Sequence, residues 1–248
     1  MTEYVVVIPA RYASTRLPGK PLRLIGDKPM LQHAWERASE SRAAEVVIAT
    51  DDERIAETGE AFGAMVCMTG PQHRSGTERI AEVADLCDWG DDVIVVNLQG
   101  DEPAMPATLL DECADLLSDP RADIATLASP IAGQADFENP NVVKVVCDNE
   151  GFALYFSRSP IPYPRREAPD KPARSAALHH HGLYAYRCGV LRTLVASTPS
   201  PLEQFEQLEQ LRALSLGLRI RVAVPSRRPG RGVDTEGDLD AAARELGL

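Results

Sequence analysis

Apolar positions along the chain alternate between short β-branched runs and stretches of helical spacing. Residues 4–8 form such a run and stop at Pro9, the pattern of a strand buried on both faces that leads into a loop. Residues 46–50, 64–67, 93–97 and 124–127 repeat the pattern, separated by helical periodicity over 31–40, 53–62, 78–86 and 109–117. This alternation requires crossover connections, so it predicts an α/β fold with a mostly parallel central sheet flanked by helices. Helix starts are marked where a hydroxyl precedes a carboxylate by three residues. Ser75 with Glu78 and Ser200 with Glu203 read as capping boxes, Thr235 with Asp238 as a weaker variant, and Pro201 suits a first helical position. Residues 202–211 carry the apolar stripe of one helix, Leu202, Phe205, Leu208 and Leu211, with Glu209 and Gln210 on its polar face.

Beyond Pro130 the rhythm changes. Residues 142–147 and 152–156 read as strands around the turn-forming Asp148-Asn149-Glu150-Gly151, predicting a β-hairpin inserted into the fold. The stretch 159–174 holds five prolines and excludes regular helix, as expected of an exposed loop of the kind that serves as a lid. With no internal repeat and no linker composition, residues 1–248 are expected to form one domain with an inserted subregion over 131–190.

Composition narrows the class. The chain has 248 residues, 44% hydrophobic and 25% charged, and no apolar run near the roughly 18 residues of a spanning helix. It reads as an ordinary globule with no membrane partner. The start of the chain lacks a basic leader and its apolar run is short, so a cytoplasmic location is expected. Five scattered cysteines without a Cys-x-x-Cys pair suggest reduced thiols. A net charge of -11 argues against nucleic acid as the main partner. It leaves room for a small anion at a local basic loop.

Such a loop follows the first strand. Residues 8–21 gather Arg11, Arg16 and Lys20 with Ser14, at the carboxyl end of a strand where doubly wound sheets bind ligands, a setting that suits a polyphosphate. The alternative is a solvated basic loop. Gly19-Lys20 is followed by Pro21 rather than Ser or Thr, so this is not a Walker A loop, and no Gly-x-Gly-x-x-Gly follows Ile8. A second candidate is Asp101, in a Gly turn after the strand ending at Asn97, placed to offer a hard oxygen to magnesium or to bond its own turn. His179-His180-His181 invites a metal reading, but on a strand the middle ring faces away from the outer two, which argues against one shared ion.

The 8–21 segment, with Ser75-Gly76-Thr77-Glu78-Arg79, Gln99-Gly100-Asp101-Glu102-Pro103, Ala153-Leu154-Tyr155-Phe156-Ser157-Arg158, Leu208-Glu209-Gln210-Leu211-Arg212 and Gly232-Val233-Asp234-Thr235, resembles the 3-deoxy-manno-octulosonate (Kdo) cytidylyltransferase, or CMP-Kdo synthetase, family. These blocks span nearly the whole chain. The resemblance implies a Rossmann-like nucleotidyltransferase fold that is usually a homodimer, with the inserted subregion serving sugar binding and dimerisation. It implies CMP transfer from CTP to Kdo with release of pyrophosphate, assisted by Mg2+, for lipopolysaccharide synthesis. In roles, it implies Arg16, Lys20, Asp101 and Asp234 as catalytic, the two aspartates as metal ligands, and Ala10, Arg11, Ser14, Arg16, Lys20, Ser75 and Arg79 as nucleotide-binding. Gln99, Arg158, His180, Tyr184, Glu209 and Gln210 are implied to bind the sugar. The neighbours of the family's matching histidine commonly differ from His179 and His181. Rival readings are a CMP-sugar synthetase for sialic acid or 8-amino-Kdo, a non-catalytic CTP-binding regulator, and an interaction module.

Overall fold

The computed structural model describes residues 2–13, 17–165 and 172–248. In chain order they form β1 (Val5–Ala10), β2 (Leu24–Ile25), β3 (Lys28–Pro29), α1 (Met30–Ser39), β4 (Glu45–Thr50), α2 (Glu53–Ala61), β5 (Met65–Met68), α3 (Gly76–Leu86) and β6 (Ile94–Asn97). Then follow α4 (Ala107–Asp115), β7 (Ile124–Pro130), α5 (Gln134–Glu138), β8 (Lys144–Cys147), β9 (Ala153–Ser157), β10 (Leu178–Arg187) and α6 (Cys188–Ala196). The chain closes with α7 (Pro201–Glu206), α8 (Gln210–Ser215), β11 (Ile220–Ala223) and α9 (Glu236–Glu245).

The main sheet has the order β11-β7-β10-β6-β1-β4-β5. Strands β6, β1, β4 and β5 run parallel, β11 runs parallel to β7, and β10 is antiparallel to both of its neighbours, β7 and β6. Strand β1 shows why both faces must be apolar: Val5 and Val7 pack with α3 and α6, whereas Val6 and Ile8 pack with α1 and α4. It also runs through Pro9, one step further than the proline suggests. The Val7 carbonyl accepts from Leu98 N–H, so odd residues direct their backbone groups toward β6, and β6 pairing ends at Val7. The N–H that Pro9 lacks thus faces a side already unpaired, while β4 pairing continues to Ala10.

The five early strands and four helices lie within a few residues of the predicted spans. Caps differ in detail. Ser200 and Glu203 form the reciprocal box, but at α3 Ser75 accepts from Glu78 N–H at 3.2 Å while the Glu78 carboxylate reaches one residue further, to Arg74 N–H at 2.7 Å. The single helix expected over 202–211 is broken. Gln207 adopts a left-handed conformation (φ 52°), ends α7 and turns the chain into α8, so Leu208 and Leu211 are buried while Leu202 and Phe205 stay exposed. Arg212 clasps Glu203 across the break at 2.5 and 2.8 Å.

The expected hairpin is present as β8–β9. Asp148 Oδ1 accepts from the N–H groups of Glu150 and Phe152, and Gly151 sits at φ 80°, where a side chain would be strained. β8 joins the main sheet through β10, which is itself an interior strand between β7 and β6. Of the proline-rich stretch, residues 166–171 lie outside the described residues, and Ala173–Ala176 form a 3-10 turn.

Candidate active site

Strand β1 has β4 on one side and β6 on the other, so the winding direction reverses beside it. Open α/β sheets bind ligands at the carboxyl ends of strands at such a switch point. A cavity of about 380 Å³ lies there, and Ala10, Arg11, Lys20, Ser75, Arg79, Gln99, Asp101 and Asp234 all line it. Ser14 and Arg16 lie outside the described residues. The cavity wall includes the start of α3, where Ser75 and Gly76 present a helix N-terminus suited to an anion. Gly76 sits at a close approach: a Cβ there would stand 3.1 Å from Pro9 Cγ, so the proline ring would have to give way.

Asp101 and Asp234 converge although they are far apart in sequence. Val233 N–H donates to the Asp101 carbonyl at 2.9 Å, which lays the segment before α9 against the turn after β6. The Lys20 ammonium lies between the two carboxylates, 2.5 Å from Asp101 Oδ2 and 3.0 Å from Asp234 Oδ1. Burial, reinforced by Asp101, pushes the neighbouring Glu102 carboxyl up to about 8. Among the described residues, no group of three His, Cys, Asp or Glu is placed to hold a metal ion. Two carboxylates facing one cation nonetheless fit Mg2+, which commonly takes one or two protein carboxylates and fills its octahedron with phosphate oxygens and water.

Arg79 reaches the cavity from a buried position. Its guanidinium pairs with Asp51 at 3.1 Å and donates to the Thr69 hydroxyl, so it is tied to the ends of β4 and β5. Sequence reasoning passed over His73 and Arg74, which also line the cavity. Their position just before the Ser75 cap was the available signal. The Arg74 side chain is largely exposed, and the His73 ring is bonded to Glu82.

A second cavity of about 210 Å³ adjoins the first, and Gly76 and Gln99 line both. His180, Tyr184, Glu209 and Gln210 line it together, joined by Thr77, Asn97 and Tyr186, which sequence reasoning missed. Asn97 lies at the carboxyl end of β6, and its Oδ1 accepts from Gln99 Nε2 at 3.0 Å. The Thr126 hydroxyl donates to the Leu183 carbonyl at 2.7 Å and lies 3.0 Å from His180 Nε2, which also accepts from Gly182 N–H at 3.3 Å, so the ring is held from two sides. Burial, reinforced by His181 and His179, pushes His180 down to about 3 and keeps it neutral. The Tyr184 hydroxyl is buried with no hydrogen-bond partner among the described residues, and its ring stacks on Tyr186 with centroids 5.6 Å apart. Glu209 accepts from the Ser75 and Thr77 hydroxyls at 3.1 Å each, linking the second cavity to the α3 start that walls the first. Burial raises its carboxyl, partly offset by those two bonds.

Arg158 is not brought into either cavity. Its guanidinium donates to the carbonyls of Glu206, Pro140 and Gln207, so it binds backbone at the hairpin's end. His179 and His181 share a face with ring centroids 4.9 Å apart, and His181 bonds the Ser129 hydroxyl at 2.7 Å.

Residues 5–220 match the sequence model of a cytidylyltransferase family. The whole chain superposes on the structure of CMP:2-keto-3-deoxy-manno-octonic acid synthetase complexed with CTP, with a TM-score of 0.90 and 42% identity, covering 100% of this chain and 99% of that one. A cytidylyltransferase from Leptospira borgpetersenii serovar Hardjo-bovis (strain JB197) shares the fold at a TM-score of 0.62 and 18% identity, covering 98% of this chain and 85% of that one. A 4-diphosphocytidyl-2C-methyl-D-erythritol synthase does so at 0.65 and 15%, covering 99% of this chain and 100% of that one. The match over most of the length, on a sheet whose switch point carries a cationic loop and two carboxylates, establishes that the chain belongs to the cytidylyltransferase family.

Proposed function

We propose that this protein is a CMP-Kdo synthetase that transfers CMP from CTP to Kdo and releases pyrophosphate. The observation that carries the reading is the pair of cavities meeting at Gly76 and Gln99, one walled by Lys20, Asp101 and Asp234, the other by His180, Tyr184 and Glu209. The triphosphate belongs in the first, where Arg11, Lys20 and the α3 N-terminus offset its charge. The sugar acid belongs in the second, where neutral His180, the Tyr184 hydroxyl and Glu209 offer bonds to its hydroxyls.

The reaction is direct displacement. The sugar hydroxyl oxygen bonds to the α-phosphorus, the bond from that phosphorus to the α–β bridging oxygen breaks, pyrophosphate departs, and the hydroxyl proton passes to solvent. Such transfer asks the protein chiefly for alignment and charge stabilisation, so no covalent intermediate is required. Asp101 and Asp234 would hold Mg2+, which when bound supplies charge neutralisation on the phosphates and acidifies a ligated hydroxyl. Lys20, adjacent to both carboxylates, is in position to follow the phosphates, and Gln99 sits where the two substrates meet. A non-catalytic CTP-binding regulator would not need its carboxylates gathered beside the cationic loop. The product serves lipopolysaccharide synthesis in the cytoplasm, and the working form is a homodimer.

Incubation of the purified protein with CTP, Mg2+ and Kdo should release pyrophosphate and yield CMP-Kdo. Product with sialic acid or 8-amino-Kdo in place of Kdo would overturn the acceptor assignment, and no product with any acid sugar would overturn the enzyme reading.

A further inference from the structure

The second cavity owes two of its walls to Glu209 and Gln210, which follow the break between α7 and α8. Gln207 occupies the sparsely populated left-handed region, so the turn depends on the ties around it. Arg212 clasps Glu203 across the break, and the hairpin holds Glu206. Glu206 Oε1 accepts from the Ser157 hydroxyl at 2.6 Å and Oε2 from Arg158 N–H at 2.9 Å, while Arg158 Nε donates to the Glu206 carbonyl at 2.7 Å. Behind them, the fully buried Lys144 ammonium donates to the carbonyls of Arg158 at 2.5 Å, Val142 at 2.7 Å and Asn139 at 3.0 Å. The end of β9, the segment before β8 and the last residue of α7 therefore form one hydrogen-bonded block.

We infer that Glu206 is a positioning residue for the acceptor: clamped to Ser157 and Arg158, it fixes the turn through Gln207 and Leu208 that aims Glu209 and Gln210 into the second cavity. The inference rests on the sugar acid occupying that cavity. Neither Glu206 nor Ser157 nor Lys144 lines either cavity, so the effect is indirect, and it falls chiefly on the acceptor side: the nucleotide cavity is built from β1 and the loop after it, the start of α3, the turn after β6 and Asp234, and Glu209 touches that wall through the Ser75 hydroxyl alone.

Displacing a reacting group by about 1 Å from a distant mutation can cost about 100-fold in rate, which sets the upper end of the expected effect. Steady-state kinetics of Glu206→Ala should show the KM for Kdo raised by about tenfold or more with the KM for CTP within about twofold of wild type. Glu206→Gln, which keeps an acceptor oxygen, should recover most of the loss. Ser157→Ala removes one of the two bonds to the carboxylate and should move the Kdo KM in the same direction by less. If Glu206→Ala fails to fold, Ser157→Ala carries the test by the same acceptor-only shift, with Glu206→Gln as the near-wild-type reference. An unchanged Kdo KM in the soluble variants, or equal rises in both KM values, overturns the inference. Wild-type protein that makes no CMP-Kdo would instead refute the function reading, before any variant is compared, and would remove this inference with it.

Discussion

Replacing Lys20 with methionine should move two measurable properties in opposite directions. The ammonium bridges Asp101 and Asp234 at 2.5 and 3.0 Å. At an effective dielectric of 20, a 3 Å pair has a Coulomb energy of about 5.5 kcal/mol. The two carboxylate side chains are 36% and 49% exposed, so solvent reduces each pair to about 0.5–1 kcal/mol net. A divalent cation that takes both carboxylates must displace the ammonium from both. Removing the ammonium should therefore favour the cation by about 1–2 kcal/mol, or roughly 5- to 30-fold in Kd. Turnover should fall by about 100-fold or more, because a cation aimed at the phosphates is lost. Mn2+ titrated into nucleotide-free protein and followed by electron paramagnetic resonance reads the first effect, and pyrophosphate release reads the second. Arg11→Met removes the same charge from the same cavity wall and reports how much of the tightening is long-range field. Lys20→Met protein that binds Mn2+ no tighter than wild type, or no tighter than Arg11→Met, would refute the reasoning.

Three further outcomes are expected. Asp101→Asn and Asp234→Asn should each lower CMP transfer by about 100-fold or more, and EDTA should abolish it reversibly; transfer undiminished in either variant counts against the paired carboxylates. Folding stability should fall on the acid side, because burial holds His180 near 3 and His181 near 4. The unfolded chain then binds more protons, so the contribution is complete above about pH 6.5 and is lost as pH falls toward the folded values, by about 1 kcal/mol for His180 between pH 6.5 and 5.5. Urea midpoints across that range should decline more steeply for wild type than for His180→Gln. Arg212→Met should cost up to about 3–5 kcal/mol in a denaturant melt, since it leaves the half-buried Glu203 carboxylate with the Ser200 N–H but no cation, whereas adding Glu203→Gln should recover part of the loss.

The first half of the fold was legible because each strand there is buried on both faces and each helix shows a 3.6 period, so composition and spacing point to the same element. Strand β10 was harder. It carries His179, His180 and Tyr184 at interior positions of the main sheet, and polar residues in a run do not announce a central strand. The cationic loop could be located by one rule, that ligands gather at the carboxyl end of the first strand, and the cavity lies there.

The break at Gln207 explains why the rest of the site was not legible. Periodicity saw an unbroken stripe from Leu202 to Leu211, which would leave Glu209 on a solvent-facing side of one helix. A single left-handed residue changes the chain's direction without changing the spacing of its leucines, and glutamine is not the residue type that signals such a turn. Once turned, Glu209 meets Ser75 and Thr77 at 3.1 Å, and Ser75 becomes both the cap of α3 and the hinge between two cavities. The pairing of Asp101 with Asp234 is hidden for the same kind of reason. Their segments are joined by a backbone hydrogen bond from Val233, which almost any side chain permits, by Lys20 from a third segment, and by burial of Val233 against Leu17, Ile25 and Met30. Side-chain pattern therefore reports where elements form, while the convergence that makes a site depends on backbone geometry at their ends. In this chain the resemblance of dispersed motifs named Asp101, Asp234 and Glu209 together, which periodicity could not, and it named Arg158 as well, whose guanidinium here donates to backbone carbonyls.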